Sequence, residues 1–273
     1  MAAQIILQEP NLEQYYKTYD FALWNTWRAW QYNTTFRIAA AEGEYDCPSC
    51  HNRENFMGIH GDGQLCVVDC DCRAIRKNWA AIRASGMEKL MQKCSFENFR
   101  ATQPWQRELL EGTKAYAQEG KGWLVLCGQS GCGKTHLASA VCRSLAARQK
   151  RVQFFSWVEQ APALKALATD FAARDARLQK YKQAQVLFVD DLFKCGNAVL
   201  GMRPTEADIR LAHELLEYRN IHDLPTIVTT ELLPDRLGEL DEALLGRLLE
   251  RSGKHLYAVE RSPERDLRLQ ESA

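Results

Sequence analysis

Residues 128–135 read Gly128-Gln129-Ser130-Gly131-Cys132-Gly133-Lys134-Thr135, a complete G-x-x-x-x-G-K-[ST] phosphate loop. An apolar run, Trp123 to Cys127, leads into it, and a helix-like run, His136 to Gln149, leads out. That strand–loop–helix context predicts a nucleotide site. The glycines let the backbone turn sharply, so that its N–H groups can surround phosphate oxygens. The helix that starts at the loop adds its positive end. Lys134 is expected to reach the β- and γ-phosphates of ATP, and Thr135 to hold Mg²⁺. The whole stretch through His136 is the predicted nucleotide-binding set.

Outward from the loop, strand-like and helix-like runs alternate. The strands are expected at Trp123–Cys127, Val152–Trp157, Val186–Asp190 and Thr226–Thr230, with a last short one at His255–Val259. Helices are expected at His136–Gln149, Val158–Tyr181 (broken), Thr205–Asn220 and Pro234–Glu250. This order predicts an α/β fold, a mostly parallel P-loop sheet with helices on both faces. The third run, Val186-Leu-Phe-Val-Asp190-Asp191, is an apolar strand ending in two carboxylates, as in a Walker B segment. Asp190 is expected to hold Mg²⁺ through its water shell, and Asp191 to polarise the attacking water as general base.

Ahead of this core the chemistry changes. The chain has ten cysteines, five of them between residues 47 and 72. Cys47-Pro-Ser-Cys50 is one Cys-x-x-Cys knuckle, and Cys70-Asp-Cys72 is a second close pair, with nineteen residues between Cys50 and Cys70. Such halves suit a structural zinc ion held by four thiolates. The expected ligands are Cys47, Cys50, Cys70 and Cys72; Cys66, His51 and His60 remain alternatives for one of the second pair. The loops between carry Gly58, Gly61 and Gly63 and few large aliphatics, so a metal staple would offset a meagre core. A closed set of four leaves no position for catalysis. Before the cluster, Leu12, Tyr16, Tyr19, Leu23, Trp27 and Trp30 recur at steps of three or four, predicting a helix over 11–41 that Glu42 and Gly43 end. Its aromatic stripe either packs on its own domain or anchors a partner.

Lys+Arg and Asp+Glu both number 35, for a formal net charge of zero, which excludes a polybasic nucleic-acid coat but not a local basic patch. The apolar fraction, 46%, is ordinary for a globular protein. The first ten residues lack the form of a signal peptide, and no apolar run is long enough to span a bilayer. The expectation is therefore a cytoplasmic protein with no membrane association.

The chain resembles the DnaC/DnaI/IstB branch of AAA+ ATPases, and in particular phage- or prophage-type DnaC-like helicase loaders with an N-terminal zinc domain. The marks are Cys-Pro-Ser-Cys with Cys-Asp-Cys, Ser85-Gly86-Met87, Ser95-Phe-Glu-Asn-Phe99, the phosphate loop, Val-Asp-Asp-Leu and Glu217-Tyr-Arg-Asn220. The resemblance implies an N-terminal helical and zinc-binding domain at 1–91 that grips a helicase, a linker at 92–103, and an AAA+ ATPase domain at 104–273. It implies that Arg247, in Leu240-Asp-Glu-Ala-Leu-Leu-Gly-Arg247, is an arginine finger acting on a neighbouring subunit, with Arg251 as runner-up. Hydrolysis would then be weak in a monomer and stimulated by assembly or DNA. Where the family carries a γ-phosphate-sensing Asn, this chain has Glu231, with Thr229 and Thr230 beside it. Ser262-Pro-Glu-Arg265 loosely matches a second sensor. The implied partners are a DnaB-like hexameric replicative helicase, single-stranded DNA and further copies of the chain in a hexameric ring or spiral. Arg174, Arg177, Lys180 and Lys182, with Phe171 and Tyr181 for stacking, are the expected DNA-facing residues. The two functions implied are helicase loading at replication initiation and, alternatively, an IstB-like transposition helper that binds DNA and recruits a transposase. The zinc domain speaks for the first.

Overall fold

The protein is described from a computed structural model covering residues 3–41, 44–194, 203–262 and 265. Glu42 and Gly43, expected to close the first helical pattern, and Pro263 and Glu264, within the loose second-sensor match, lie outside the described residues. The chain divides into two compact units, Met1–Trp79 and Ala80–Ala273.

The first unit sets short helices beside a small sheet. Strand β1 is Gln4–Ile5, α1 is Glu13–Thr18 and α2 is Phe21–Thr35. The expected single helix breaks at Tyr19, whose φ of 52° is left-handed, and restarts with the Asp20 side chain accepting from the Ala22 N–H. Strands β2, Asn55–Ile59, and β3, Leu65–Asp69, pair antiparallel, and β1 adds to the β2 edge. This three-stranded sheet is an addition to the expected helical region. Buried Asn33 fastens α2 to it: its amide donates to the Ile6 and Met57 carbonyls and accepts from the Met57 N–H. The aromatic stripe is split. Tyr15, Trp24 and Trp27 stack on one another, whereas Tyr16, Tyr19 and Phe21 are exposed. Helix α3, Cys72–Lys77, follows β3, and α4, Trp79–Ala84, spans the boundary between the units.

The second unit continues with α5 (Glu88–Lys93) and α6 (Pro104–Glu119), then β4 (Trp123–Gly128), α7 (Lys134–Ala147), β5 (Val152–Ser156), α8 (Trp157–Lys165), α9 (Phe171–Lys182) and β6 (Val186–Leu192). After it come α10 (Glu206–Ile221), β7 (Thr226–Thr230), α11 (Pro234–Leu240), α12 (Glu242–Ser252), a 3-10 turn at Gly253–His255 and β8 (Leu256–Val259). The five strands form one parallel sheet in the order β5-β6-β7-β4-β8. Strand β4, between β7 and β8, is buried along its whole length, as a parallel strand covered on both faces must be. The run expected as one helix over 234–250 divides at Asp241, which is extended and caps α12 by accepting from the Leu244 N–H. Thr205 and Asp208 form a capping box that starts α10.

Helix α10 is fastened to the sheet by Arg219, which is fully buried. Its guanidinium donates to Thr226 Oγ1 and to the carbonyls of Tyr181, Lys182, Ala184 and Pro225 at 2.6–3.1 Å. Burial lowers its pKa to about 10, still well above neutrality. One side chain therefore satisfies the ends of α9 and the entries to β6 and β7. The Arg219→Met variant would leave those carbonyls buried without a donor. It is expected to destabilise the second unit by about 3–5 kcal/mol. Urea denaturation checks this; a loss below about 1 kcal/mol would show that the carbonyls find other partners.

Candidate nucleotide site and cysteine cluster

Strand β4 ends at Gly128, with φ +109°, and a Cβ built there would lie 2.0 Å from the Val259 carbonyl oxygen on β8. Only glycine lets the chain leave the sheet at this point. Gly131 and Gly133 also have positive φ, and Gly133 is the residue before the first turn of α7. The Gln129 side chain accepts from the Ser262 N–H at 2.6 Å. Lys134 is buried and donates to the carbonyls of Gly128 and Gln129 at 2.8 and 2.7 Å, so the ammonium lies within its own loop. Thr135, one residue on, donates to Asp190 Oδ1 at 2.9 Å.

Asp190 and Asp191 end β6 differently. Asp190 Oδ1 also accepts from Thr229 Oγ1 of β7 at 2.6 Å. Desolvation raises its pKa and the Asp191 charge adds to this, against the lowering by the Thr229 and Thr135 hydroxyls. Asp191 sits at a sheet irregularity between Val189 and Leu192, with φ 57°, a conformation that costs a non-glycine residue about 1 kcal/mol or more. Its N–H is held by Thr229 Oγ1 at 2.9 Å, and the turn carries its carboxylate out of the strand. The Lys194 ammonium lies 2.9 Å from Asp191 Oδ2 and 2.9 Å from Glu231 Oε1. Desolvation pushes the Glu231 carboxyl up, but Lys194, with the Ser130 hydroxyl and the Lys134 charge, brings it below the usual range.

These groups share a cavity of about 570 Å³ lined by Ser130, Gly131, Gly133, Lys134, Thr135, His136, Asp191, Lys194 and Glu231. Its other wall is Asn98, Phe99, Arg100, Thr102 and Gln106. Phe99 meets His136 edge to face, and the His136 ring bonds the Ser95 carbonyl at 2.9 Å. Gln106 Nε2 is buried without a hydrogen-bond partner at this wall. The segment expected only as a linker thus forms part of the site; the Ser95–Phe99 motif was its signal. Lys194 carries no motif and was missed. Turned glycines, a buried lysine, and a hydroxyl in contact with a carboxylate are the donor set that a triphosphate and Mg²⁺ need.

The expected finger and second sensor lie elsewhere. Arg247 on α12 is ion-paired through Nε with Glu217 and lies 3.0 Å from His213 Nδ1, whose Nε2 meets Asp241 at 2.9 Å. Arg251 pairs with Asp223 at 2.6 Å, and Arg265 donates to the Glu260 carbonyl. None of the three is among the described residues lining the nucleotide cavity. Of the expected DNA-facing residues on α9, Arg174 and Lys182 both pair with Glu214, Arg177 donates to Gln160, and Lys180 lies over the Tyr181 ring. Tyr181 itself is not available for stacking on a base. It is buried against Phe155, because it faces the sheet. Phe171 is exposed.

In the first unit, Cys47, Cys50, Cys70 and Cys72 converge, all buried, with their sulfurs within 4.8 Å of one another. Cys47 and Cys70 are 3.8 Å apart, Cys50 and Cys72 3.4 Å. A tetrahedron with metal–sulfur bonds of about 2.3 Å places its sulfurs about 3.8 Å apart, so the set can hold a metal such as zinc. Left-handed residues His51 and Asn52 turn the first knuckle, and Asn52 Oδ1 accepts from the Cys47 N–H and from Arg76. The sulfurs compete for charge. Hydrogen bonds, chiefly from Cys50, hold Cys47 well below an ordinary thiol, while Cys70 and Cys72 are pushed far up, chiefly by Cys47. Four thiolates this close need a cation. Cys66, half-buried on β3, and both alternative histidines fall outside the set.

Comparison with known proteins agrees with this architecture. A family model described as IstB-like ATP binding protein matches residues 64–260. The phage-like element PBSX protein XkdC of Bacillus subtilis is 32% identical over 79% of this chain and 82% of its own length. The replicative helicase loader DnaC of Escherichia coli K12 is 30% identical over 64% of this chain and 70% of its own. Crystal structures of DnaI and of the DnaC helicase loader share the fold, with TM-scores of 0.51 and 0.53 at 22% and 21% identity; they cover 64% of this chain and 93% and 99% of their own. Among the described residues no helix is long and apolar enough to cross a membrane. With the family model matching well over half of its length, and with the phosphate loop, strand-end carboxylate and cysteine cluster in agreement, the chain belongs to the IstB-like ATP binding protein family, in the DnaC/DnaI/IstB branch of AAA+ ATPases.

Proposed function

We propose that this chain is an ATP-hydrolysing assembly factor that acts on DNA, of the IstB-like kind that recruits a transposase. The observation that carries the ATPase part is the 2.9 Å contact of Thr135 with Asp190, which joins the phosphate loop to the end of β6. Bound there, ATP with Mg²⁺ supplies the phosphoryl group and the charge neutralisation around it. Thr135 and Asp190 would hold Mg²⁺, the loop N–H groups and Lys134 would orient the phosphates, and Asp191 would take the proton of the attacking water. Asp191 does this with one methylene fewer than glutamate, which slows hydrolysis. Arg247, released from Glu217, completes the site of a neighbouring copy, so turnover depends on assembly into a ring or spiral. The family match over residues 64–260 and the phage-element relative support the helper reading.

The second reading, a loader of a DnaB-like helicase onto single-stranded DNA, places the helicase grip in the 1–91 region. It is supported by the 30% identity to Escherichia coli DnaC and by the cysteine cluster. In both readings a zinc ion in that cluster is structural.

Wild-type ATP turnover is expected to rise with protein concentration and with added single-stranded DNA. Lys134→Ala and Asp191→Ala are each expected to lower it by about a hundredfold. Equal low rates in all three proteins would sink the ATPase assignment. Reciprocal co-purification with the transposase of the same element and with the resident replicative helicase, each with and without ATP, separates the two readings. A nucleotide-dependent transposase complex is the expected result, and a helicase complex in its place reverses their order. Elemental analysis of protein purified without chelator is expected to return about one zinc per chain. A value under about half an equivalent, or one unchanged in Cys70→Ser, would count against the cluster as a zinc site.

A further inference from the structure

The nucleotide cavity carries an electrostatic conflict at one end. Asp191 and Glu231 both line it, together with Lys134 and Thr135. Those last two are the groups that meet the terminal phosphates of a triphosphate and its metal. Two carboxylates at that end oppose the arrival of further negative charge. Lys134 makes its hydrogen bonds to the Gly128 and Gln129 carbonyls of its own loop and acts on Glu231 only through its charge. The charge that answers the carboxylates comes from Lys194, 2.9 Å from each of them. Lys194 is half-buried rather than spread in solvent, and it joins the turn after β6 to the turn after β7. The Ser130 hydroxyl of the phosphate loop also helps hold the Glu231 carboxyl below its usual range, and both residues line the same cavity.

We propose that Lys194 and Glu231 are the triphosphate-discriminating element of this chain: Lys194 neutralises Asp191 and Glu231 so that a nucleoside triphosphate is accepted, and its ammonium is the charge that distinguishes triphosphate from diphosphate. Glu231 positions Lys194. The inference rests on the nucleotide-site reading above and names the residues that give it sensitivity to the state of the nucleotide. A lysine serving only to join two turns would affect folding and would be indifferent to the number of phosphates.

The test is equilibrium binding of a non-hydrolysable ATP analogue and of ADP, each with Mg²⁺, to the full chain. Lys194→Ala is expected to weaken the analogue about tenfold while changing ADP less than about threefold. Lys194→Arg is expected to retain the preference. Glu231→Gln alone is expected to tighten the analogue relative to ADP, and added to Lys194→Ala it is expected to recover most of the loss. Thermal melts accompany each variant, and the Glu231→Gln arm stands even if Lys194→Ala does not fold. Equal weakening of both nucleotides in Lys194→Ala, or no response of the ratio to Glu231→Gln, would overturn the proposal and leave the nucleotide site standing. Failure of the wild type to bind either nucleotide would instead remove the nucleotide site, and this element with it.

Discussion

The site depends on one carboxylate oxygen. Asp190 Oδ1 accepts from Thr135 at the start of α7 and from Thr229 near the end of β7. Three pieces of the fold, the phosphate-loop helix and two neighbouring strands, therefore meet at one atom. Thr229 uses the same hydroxyl to hold the Asp191 N–H, which fixes the left-handed turn that lifts Asp191 out of the strand. Hydrogen bonds to a charged acceptor are among the stronger ones in a protein, and these two are partly buried. It sets the register between the loop that cradles phosphate and the carboxylate beside it.

That same arrangement leaves Asp191 strained, charged and close to Glu231. Lys194 resolves the like-charge contact, and the turn it sits on exists because β6 bends at Asp191. A regular strand would have run Asp191 along the sheet and carried Lys194 elsewhere. Backbone strain at the end of β6 and the ion-paired triad thus have one cause, a departure of the chain from the sheet where the chemistry is needed.

Legibility in the sequence followed the range of the interactions. The phosphate loop and the five parallel strands were readable because each is a contiguous pattern: apolar runs such as Trp123–Cys127, glycines at fixed offsets, a strand closed by Asp190-Asp191. The four cysteines were readable because zinc ligands come in close pairs. The small sheet in the first unit was not. Its strands are short, β1 is two residues long, and β2 contains Gly58, so no alternation stands out from the loops around it. The break at Tyr19 was overlooked because the aromatic spacing runs through it, although Asp20 stands there as a cap for the restarted helix. Tyr181 looked available for stacking because helix periodicity does not say which side the sheet lies on. Lys194 was invisible for a different reason: its two partners come from separate strands, and no local pattern encodes such a meeting.

Two arginines show how burial decides what a charged side chain can do. Arg219 has five acceptors and no exposure, so moving it would leave a desolvated cation and several carbonyls unpaired. Such a residue is confined to structure. Arg247 is about a quarter exposed and its partner Glu217 more than a third, with partly exposed His213 alongside. An ion pair in that setting contributes about 1 kcal/mol or less. Withdrawing Arg247 from Glu217 costs little, and the carboxylate left behind remains in reach of water. The phosphoryl-transfer transition state returns far more for one positioned guanidinium. The proposed lending of Arg247 to a neighbour's site therefore asks little of this chain, and the contact with Glu217 keeps the side chain ordered until then.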